Sequence, residues 1–342
     1  MEWPHAGGRR PPPWRRAAGT PRSDVKTAVH GHAPRDSGII GVPAPPPASA
    51  MPARRFAQID VFTTRTGYGN PVAVVLDGDG LDAAAMQRFA AWTHLSETTF
   101  VLAPRSAGAD LRMRVFTPRQ ELPFAGHPAV GTVFAWLEAH GRAAGRTPLA
   151  LECAAGVLPV RVEGDAARRI FVQAPPARIA APPALAAGVA DALGLAPRRA
   201  PGPHVVDVGP LWLIAELDDA AALRALAPDF ARIAALTRQH GAIGLCVFAR
   251  EPGGDADLAV RAFCPADDIP EDPVTGSANA AVAALLHATG TLGALGSRYR
   301  ASQGREIGRD GLVEVEIDAG RVWIGGRCTL AVDGRVHLDE AP

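Results

Sequence analysis

Two stretches of this chain place a glycine at the start of an apolar, helix-like run, and the polar residues that could do chemistry gather around them. Gly126-His127-Pro128 opens one run and Thr275-Gly276-Ser277 the other. A helix N-terminus presents unpaired N–H groups and the positive end of the helix dipole, so each junction is a seat for an anion such as a carboxylate. Glycine at that point lets a ligand come close to the backbone. Glu97, in Leu95-Ser-Glu-Thr-Thr-Phe100, lies between a helix and an apolar strand. Desolvation there raises a carboxyl pKa toward neutrality, which suits proton transfer. His127 at a helix start is pushed toward the neutral imidazole, able to give or take one hydrogen bond. Asp272, in Glu271-Asp-Pro-Val-Thr-Gly-Ser277, and Ser277 itself complete the polar set. Each also has a plainer reading: a solvated turn carboxylate, a satisfied histidine, an Asx turn, a helix N-cap. Their convergence on two matched helix starts points to one cleft, whose chemistry needs neither metal nor nucleotide.

The match between the two junctions extends upstream. Asp110-Leu-Arg-Met-Arg-Val-Phe-Thr-Pro118 aligns without gaps on Asp257-Leu-Ala-Val-Arg-Ala-Phe-Cys-Pro265, and Glu121-Leu-Pro123 continues on Asp268-Ile-Pro270. Asp, Leu, Arg, Phe and both prolines are identical. Each copy leads into a glycine-containing loop and an apolar helix, 128–140 and 277–289, ended by glycine. An internal duplication and a pseudo-twofold molecule follow.

Around these blocks the hydrophobic pattern predicts strands over 56–63, 71–76, 98–102, 111–117, 149–153, 158–163 and 170–173, with a turn over 67–70. Asp82 is placed to cap a helix running to about Thr93. The proline-rich 174–183 is the expected crossing between an N-terminal domain over 51–175 and a C-terminal domain over 176–342. The last strand is expected to pack on the N-terminal domain. Residues 1–50 hold 10 prolines and 6 arginines against three acids, Glu2, Asp24 and Asp36, with no apolar periodicity, and read as a disordered extension.

Bulk composition narrows the class further. Of the 342 residues 47% are hydrophobic and 20% charged, as in a soluble globular protein. The 35 basic and 35 acidic residues cancel, leaving no global field for nucleic acid or an anionic membrane, and no run of apolar residues is long enough to span a bilayer. Cys153, Cys246, Cys264 and Cys328 stand singly, which argues against structural zinc and for a reducing, cytoplasmic compartment.

Read in order, Asp60-Val-Phe-Thr63, Gly69-Asn-Pro71, Ser96-Glu-Thr-Thr-Phe100, Phe116-Thr-Pro118, Glu121-Leu-Pro-Phe-Ala-Gly-His127, Glu271-Asp-Pro-Val-Thr-Gly-Ser-Ala278 and Gln303-Gly304 resemble the PhzF-like family of phenazine biosynthesis. The resemblance runs from about Phe56 to Leu338. It implies an α/β, diaminopimelate-epimerase-like fold, two pseudo-twofold related domains each wrapping a curved mixed sheet around a central helix, and a homodimer. It also implies a cofactor-independent isomerase, with Glu97 as the proton-transferring glutamate and His127, Asp272 and Ser277 as supporting polar residues. Asn70, Gly126, Thr275 and Gly276 are implied to contact a small carboxylate substrate. In the phenazine enzyme that substrate is trans-2,3-dihydro-3-hydroxyanthranilate, although the Ser-Glu-Thr-Thr-Phe and Glu-Asp-Pro-Val-Thr-Gly-Ser blocks resemble the broader branch of the family more.

Three rivals are weaker on the residues. Two-thiol racemases of the same fold carry cysteines in the loops equivalent to 124–127 and 272–277, where this chain has Ala125 and Pro273. A non-catalytic scaffold would have no chemical need for Glu97, His127, Asp272 and Ser277 together. A dinucleotide enzyme is disfavoured because no strand leads into GxGxxG.

Overall fold

The structure, a computed structural model, describes residues 52–141, 148–164 and 167–338. The proline- and arginine-rich extension expected over 1–50 lies outside them. In chain order the first half runs β1 (Ala53–Val61), β2 (Asn70–Val75), α1 (Ala83–Thr93), β3 (Glu97–Leu102), β4 (Leu111–Phe116), β5 (Glu121–Leu122), α2 (Gly126–Ala139), β6 (Leu149–Cys153), β7 (Gly156–Glu163) and β8 (Arg169–Gln173). The second half continues with β9 (Arg178–Ala180), α3 (Leu185–Leu193), β10 (His204–Asp207), β11 (Leu211–Glu216), α4 (Ala220–Arg224), α5 (Phe230–His240), β12 (Gly244–Arg250), β13 (Leu258–Cys264), β14 (Ile269–Asp272) and α6 (Gly276–Ala288). Strands β15 (Arg298–Gln303), β16 (Gly311–Asp318), β17 (Arg321–Gly326) and β18 (Cys328–His337) close the chain.

Strand pairing repeats almost line for line between the halves. β1 is antiparallel to β2, β2 parallel to β3, β3 antiparallel to β4, and β4 parallel to β6, which continues antiparallel through β7 and β8. β10, β11, β12, β13, β15, β16 and β17 follow the same sequence of directions. The two runs meet where β8 pairs with β17. The short β5 and β14 hang antiparallel on β4 and β13, the two aligned sequence blocks. The expected crossing over 174–183 is partly ordered, because β9 pairs with β10.

Each run curves around one helix. α2 buries His127 through Val133 and Ala135 through Leu137, and α6 buries Gly276 and Ala278 through Leu286. A helix that is apolar nearly all round is stable only when enclosed. Burial in the strands follows from what covers them. β16 alternates between buried Val313, Val315 and outward Glu314, Glu316, whose carboxylates meet Arg169, Arg161 and Arg298. β12 and β13 are buried on both faces, because α6 covers one side and Leu185 and Val189 of α3 with Ile233 and Leu236 of α5 cover the other. α1 starts where Asp82 accepts a hydrogen bond from the Ala85 amide, as its sequence predicts. Both central helices begin two residues or one residue earlier than the apolar pattern suggests, so Gly126 and Gly276 are their first residues and not the residues before them. No helix among the described residues is long and apolar enough to cross a membrane.

The loop from β14 to α6 is held from behind by Gly304. Its φ is +92°, and a Cβ there would stand 2.4 Å from the Pro273 carbonyl oxygen and 2.8 Å from Arg309 Cβ. Gly304→Ala therefore combines left-handed strain with a backbone collision, and is expected to lower stability by about 2–4 kcal/mol. Urea unfolding checks this; a loss below about 0.5 kcal/mol would show that the loop yields freely.

Candidate active site

The starts of α2 and α6 touch. A Cβ on Gly126 would lie 3.8 Å from Gly276 Cα and Ser277 N, and one on Gly276 would lie 3.3 Å from His127 N. A Cβ on Gly126 would make only ordinary contact, whereas one on Gly276 would be tight enough to push the His127 amide by a few tenths of an ångström. The first four N–H groups of each helix have no partner within it, so two sets of donors and two positive dipole ends converge at one point. They border a cavity of about 110 Å³ whose walls are mostly apolar, among them Leu122, Phe124, Trp212, Ile269 and Ile324. Among the described residues lining it there is no lysine or arginine. The positive dipole ends of the two helices therefore reach the cavity without a lysine or arginine beside them in its described lining.

Glu97 enters the cavity from the first residue of β3, beside α2, with its side chain 17% exposed. Burial pushes its carboxyl up to about 7, with Ser96 pulling the other way. Its Oε2 lies 3.4 Å from His127 Nε2, and both atoms are buried without a hydrogen-bond partner. His127 is the second residue of α2, and burial lowers its pKa to about 4 against the opposing pull of Asp272 and the Pro71 backbone. At neutral pH the imidazole is uncharged, while the Glu97 carboxyl lies close to its midpoint.

Asp272 ends β14 and is also pushed up by burial. Its Oδ2 accepts a 2.5 Å hydrogen bond from the Thr275 hydroxyl and its Oδ1 a 3.1 Å bond from Asn70 Nδ2. Asn70 Nδ2 also donates to the Val274 carbonyl at 2.9 Å and lies 3.4 Å from His127 Nδ1. Behind Thr275 stands Gln303, fully buried. Its Nε2 donates to Thr275 Oγ1 and to the Asp272 carbonyl, and its Oε1 accepts from the Thr275 amide and Asn279 Nδ2. The Thr275 hydroxyl thus accepts from Gln303 and can only donate to Asp272. Thr275, not Ser277, is the N-cap residue of α6, and its hydroxyl makes no capping bond. Ser277 Oγ accepts from Trp212 Nε1 at 3.1 Å, which leaves its own proton to be donated into the cavity.

All eight sequence-predicted site residues come together here. Glu97, His127, Asp272 and Ser277 line the cavity with Gly126, Thr275 and Gly276, and Asn70 sits directly behind His127 and Asp272. Trp212, Cys264 and Asp267 also line it without having been picked out. Cys264 had a usable signal, since it aligns with Thr117 at the end of the repeated strand. Its thiol is buried and pushed well above its ordinary pKa, so it is not a ready thiolate. Trp212 comes from β11, far from any motif, and no local pattern marks it. Among the described residues no cluster of His, Cys, Asp and Glu is arranged to hold a metal.

Comparison with known proteins bears on the chain's family and fold. The PhzC-PhzF family model, described as "Phenazine biosynthesis-like protein", matches residues 59–334. An uncharacterised isomerase of Deinococcus radiodurans is 38% identical over 303 residues, covering 83% of this chain and 94% of that protein. The trans-2,3-dihydro-3-hydroxyanthranilate isomerase of Pseudomonas chlororaphis is 38% identical over 261 residues, covering 75% and 88%. The crystal structure of a PhzF-family phenazine biosynthesis protein from Bacillus anthracis superposes with a TM-score of 0.71 at 25% identity, over 84% of this chain and 99% of that one. The fold is the mixed α/β arrangement of the diaminopimelate-epimerase type.

The displaced Glu97 carboxyl has a consequence for stability. Its folded pKa lies above the unfolded one, so its favourable contribution is present below about pH 4.5 and is lost as pH rises through 7. Glu97→Gln removes that loss. Between pH 5 and pH 8 the variant should gain up to about 3 kcal/mol relative to the parent, read from urea unfolding at both pH values. Parallel pH dependences would contradict the buried-carboxyl assignment.

Proposed function

The chain belongs to the PhzC-PhzF family of phenazine biosynthesis-like proteins and is an isomerase, and we propose that it moves a proton between two carbons of a small carboxylate-bearing metabolite with Glu97 as both base and acid. The observation that carries this reading is the facing pair of buried, unpartnered atoms, Glu97 Oε2 and His127 Nε2, at the mouth of two abutting helix starts. A carboxyl group with a pKa of about 7 can take a proton and return it at similar cost.

The substrate carboxylate rests on the helix-end N–H groups around Gly126 and Gly276, joined by the Ser277 hydroxyl that Trp212 orients. Glu97 removes a proton from a carbon next to a conjugated system. The electron pair left behind spreads into that system, and the helix-end donors stabilise its charge. The same carboxyl then delivers the proton to another carbon on the same face, so substrate and product have identical composition. His127, neutral, holds Glu97 and the substrate in line. Asp272, fixed by Asn70 and Thr275 with Gln303 behind, orients a polar substituent of the substrate. In this reading 51–175 and 176–342 form two domains with the cleft between them. Four free cysteines are consistent with work in a reducing cytoplasm. The 38%-identical Pseudomonas chlororaphis protein makes trans-2,3-dihydro-3-hydroxyanthranilate the first compound to try.

Turnover in deuterated water should place deuterium on substrate carbon. Glu97→Gln should cut kcat by about 10²–10⁴ while the ligand still binds, and kcat/KM should rise with pH through about 7 as the base loses its proton. Absence of exchange at every pH, with a ligand whose binding is confirmed by calorimetry, would remove the proton-transfer reading. A parent protein that binds a partner but never turns over, with binding indifferent to Glu97→Gln, would support a scaffold instead.

A further inference from the structure

A second depression, of about 410 Å³, lies where the two sequence halves meet and shares no lining residue with the catalytic cavity. Phe62 to Arg65 and Arg169 enter it from the first half, and β15, β16 and the turns beside them from the second. Five arginines and three acids line it, so it carries two more positive charges than negative on a chain whose charges otherwise cancel. A concave surface with one sign of charge in excess concentrates counter-ions.

The three acids are already engaged. Asp310 bridges Arg65 at 2.8 Å and Arg305 at 2.9 Å, and Arg305 also meets Asp255. Glu314 accepts from Arg169 at 3.3 Å. Arg300 stands opposite Glu314 across β15 and β16 but is not bonded to it. The guanidinium groups of Arg300 and Arg327 have no hydrogen-bond or ion-pair partner among the described residues, and both residues are exposed. Arg300 lies on β15 and Arg327 directly follows β17, with β16 between those strands. Two strand spacings are about 10 Å, a span that two extended arginine side chains close onto a single ion. The remaining arginines are held in place. Arg65 stacks 3.9 Å over the Tyr68 ring, and Arg169 and Arg305 have two carboxylate partners each. Guanidinium forks match phosphate with paired N–H···O bonds. A phosphate monoester carries about −1.5 to −2 charge at neutral pH, which equals the surplus.

We propose that this depression binds a phosphate dianion, free or as the monoester of a small metabolite, between Arg300 and Arg327. The wall behind it is the back of the catalytic junction. Phe62, which lines the depression, puts its ring 3.6 Å from the position of a Cβ on Gly276, and Gly311 backs onto Val274 with no room for a side chain. The bound ion ties the two halves together directly behind the start of α6.

Calorimetric titration of the full chain in low-salt buffer tests it, with inorganic phosphate, glycerol 3-phosphate and succinate as separate probes. At least one phosphate probe should bind saturably and raise the thermal midpoint where sodium chloride of equal ionic strength does not. Inorganic phosphate binding as tightly as glycerol 3-phosphate marks the free ion as the ligand, and tighter binding of the ester marks a monoester. Arg300→Gln combined with Arg327→Gln should weaken binding about tenfold or more, while Ser277→Ala, at the catalytic helix starts, leaves it unchanged. Absence of saturable binding for both phosphate probes, or binding unchanged in the double arginine variant, would overturn the site. Loss of binding in Ser277→Ala alone would place the ion in the catalytic cavity instead. Succinate binding where neither phosphate probe binds would overturn the phosphate assignment.

Discussion

Everything in this molecule's site depends on two helices being able to start against each other. Gly126 and Gly276 meet backbone to backbone, and a Cβ on Gly276 would stand a tight 3.3 Å from the His127 amide nitrogen. That contact brings two helix N-termini to a cavity whose described lining holds no lysine or arginine. Directed amides and helix dipoles do the work that an arginine would otherwise do, and they do it without a flexible side chain to order. The cost is structural: both helices must be enclosed in strongly curved sheet, and the loops leading into them need positions such as Gly304 that no other residue occupies comfortably.

The polar groups divide into those already bonded and those left open. Asp272, Thr275, Gln303 and Asn279 form a buried network in which the Gln303 amide makes four hydrogen bonds. A satisfied network of this kind is rigid. Glu97 Oε2, His127 Nε2, Ser96 Oγ and Asn70 Oδ1 are buried close by with no partner. Buried polar atoms are rarely left unpaired unless they have another use. Glu97 and His127 are shifted in opposite directions by the same cause, burial, and each thereby favours its neutral form. A carboxyl group near its midpoint beside an uncharged imidazole is a proton store without a fixed charge.

Much of this was legible in the sequence because duplication wrote it twice. The aligned blocks at 110–123 and 257–270 became β4 with β5 and β13 with β14, and each leads into its central helix. The remaining correspondence, from β1 with β10 to β8 with β17, is just as regular in pairing but left no sequence trace, because strand pairing constrains burial far more than residue identity. Glu97 was singled out from its position between helix and strand, yet a single sequence does not tell how deeply a carboxyl group is buried. Trp212 was invisible for a related reason. It reaches Ser277 across 65 residues of chain, and only the fold brings them together. The helix starts were read one or two residues late, since glycine has low helix propensity and only the tertiary contact requires it at the first position.

The central claim is that the Glu97 carboxyl is buried and poised near neutrality. Carbon-13 NMR of protein labelled at the glutamate side-chain carboxyl, with the Glu97 resonance assigned by its disappearance in Glu97→Gln, reads its ionisation directly. A midpoint near pH 7 is the predicted result. A midpoint near the ordinary glutamate value of about 4.3 would show a solvated carboxylate and contradict the account.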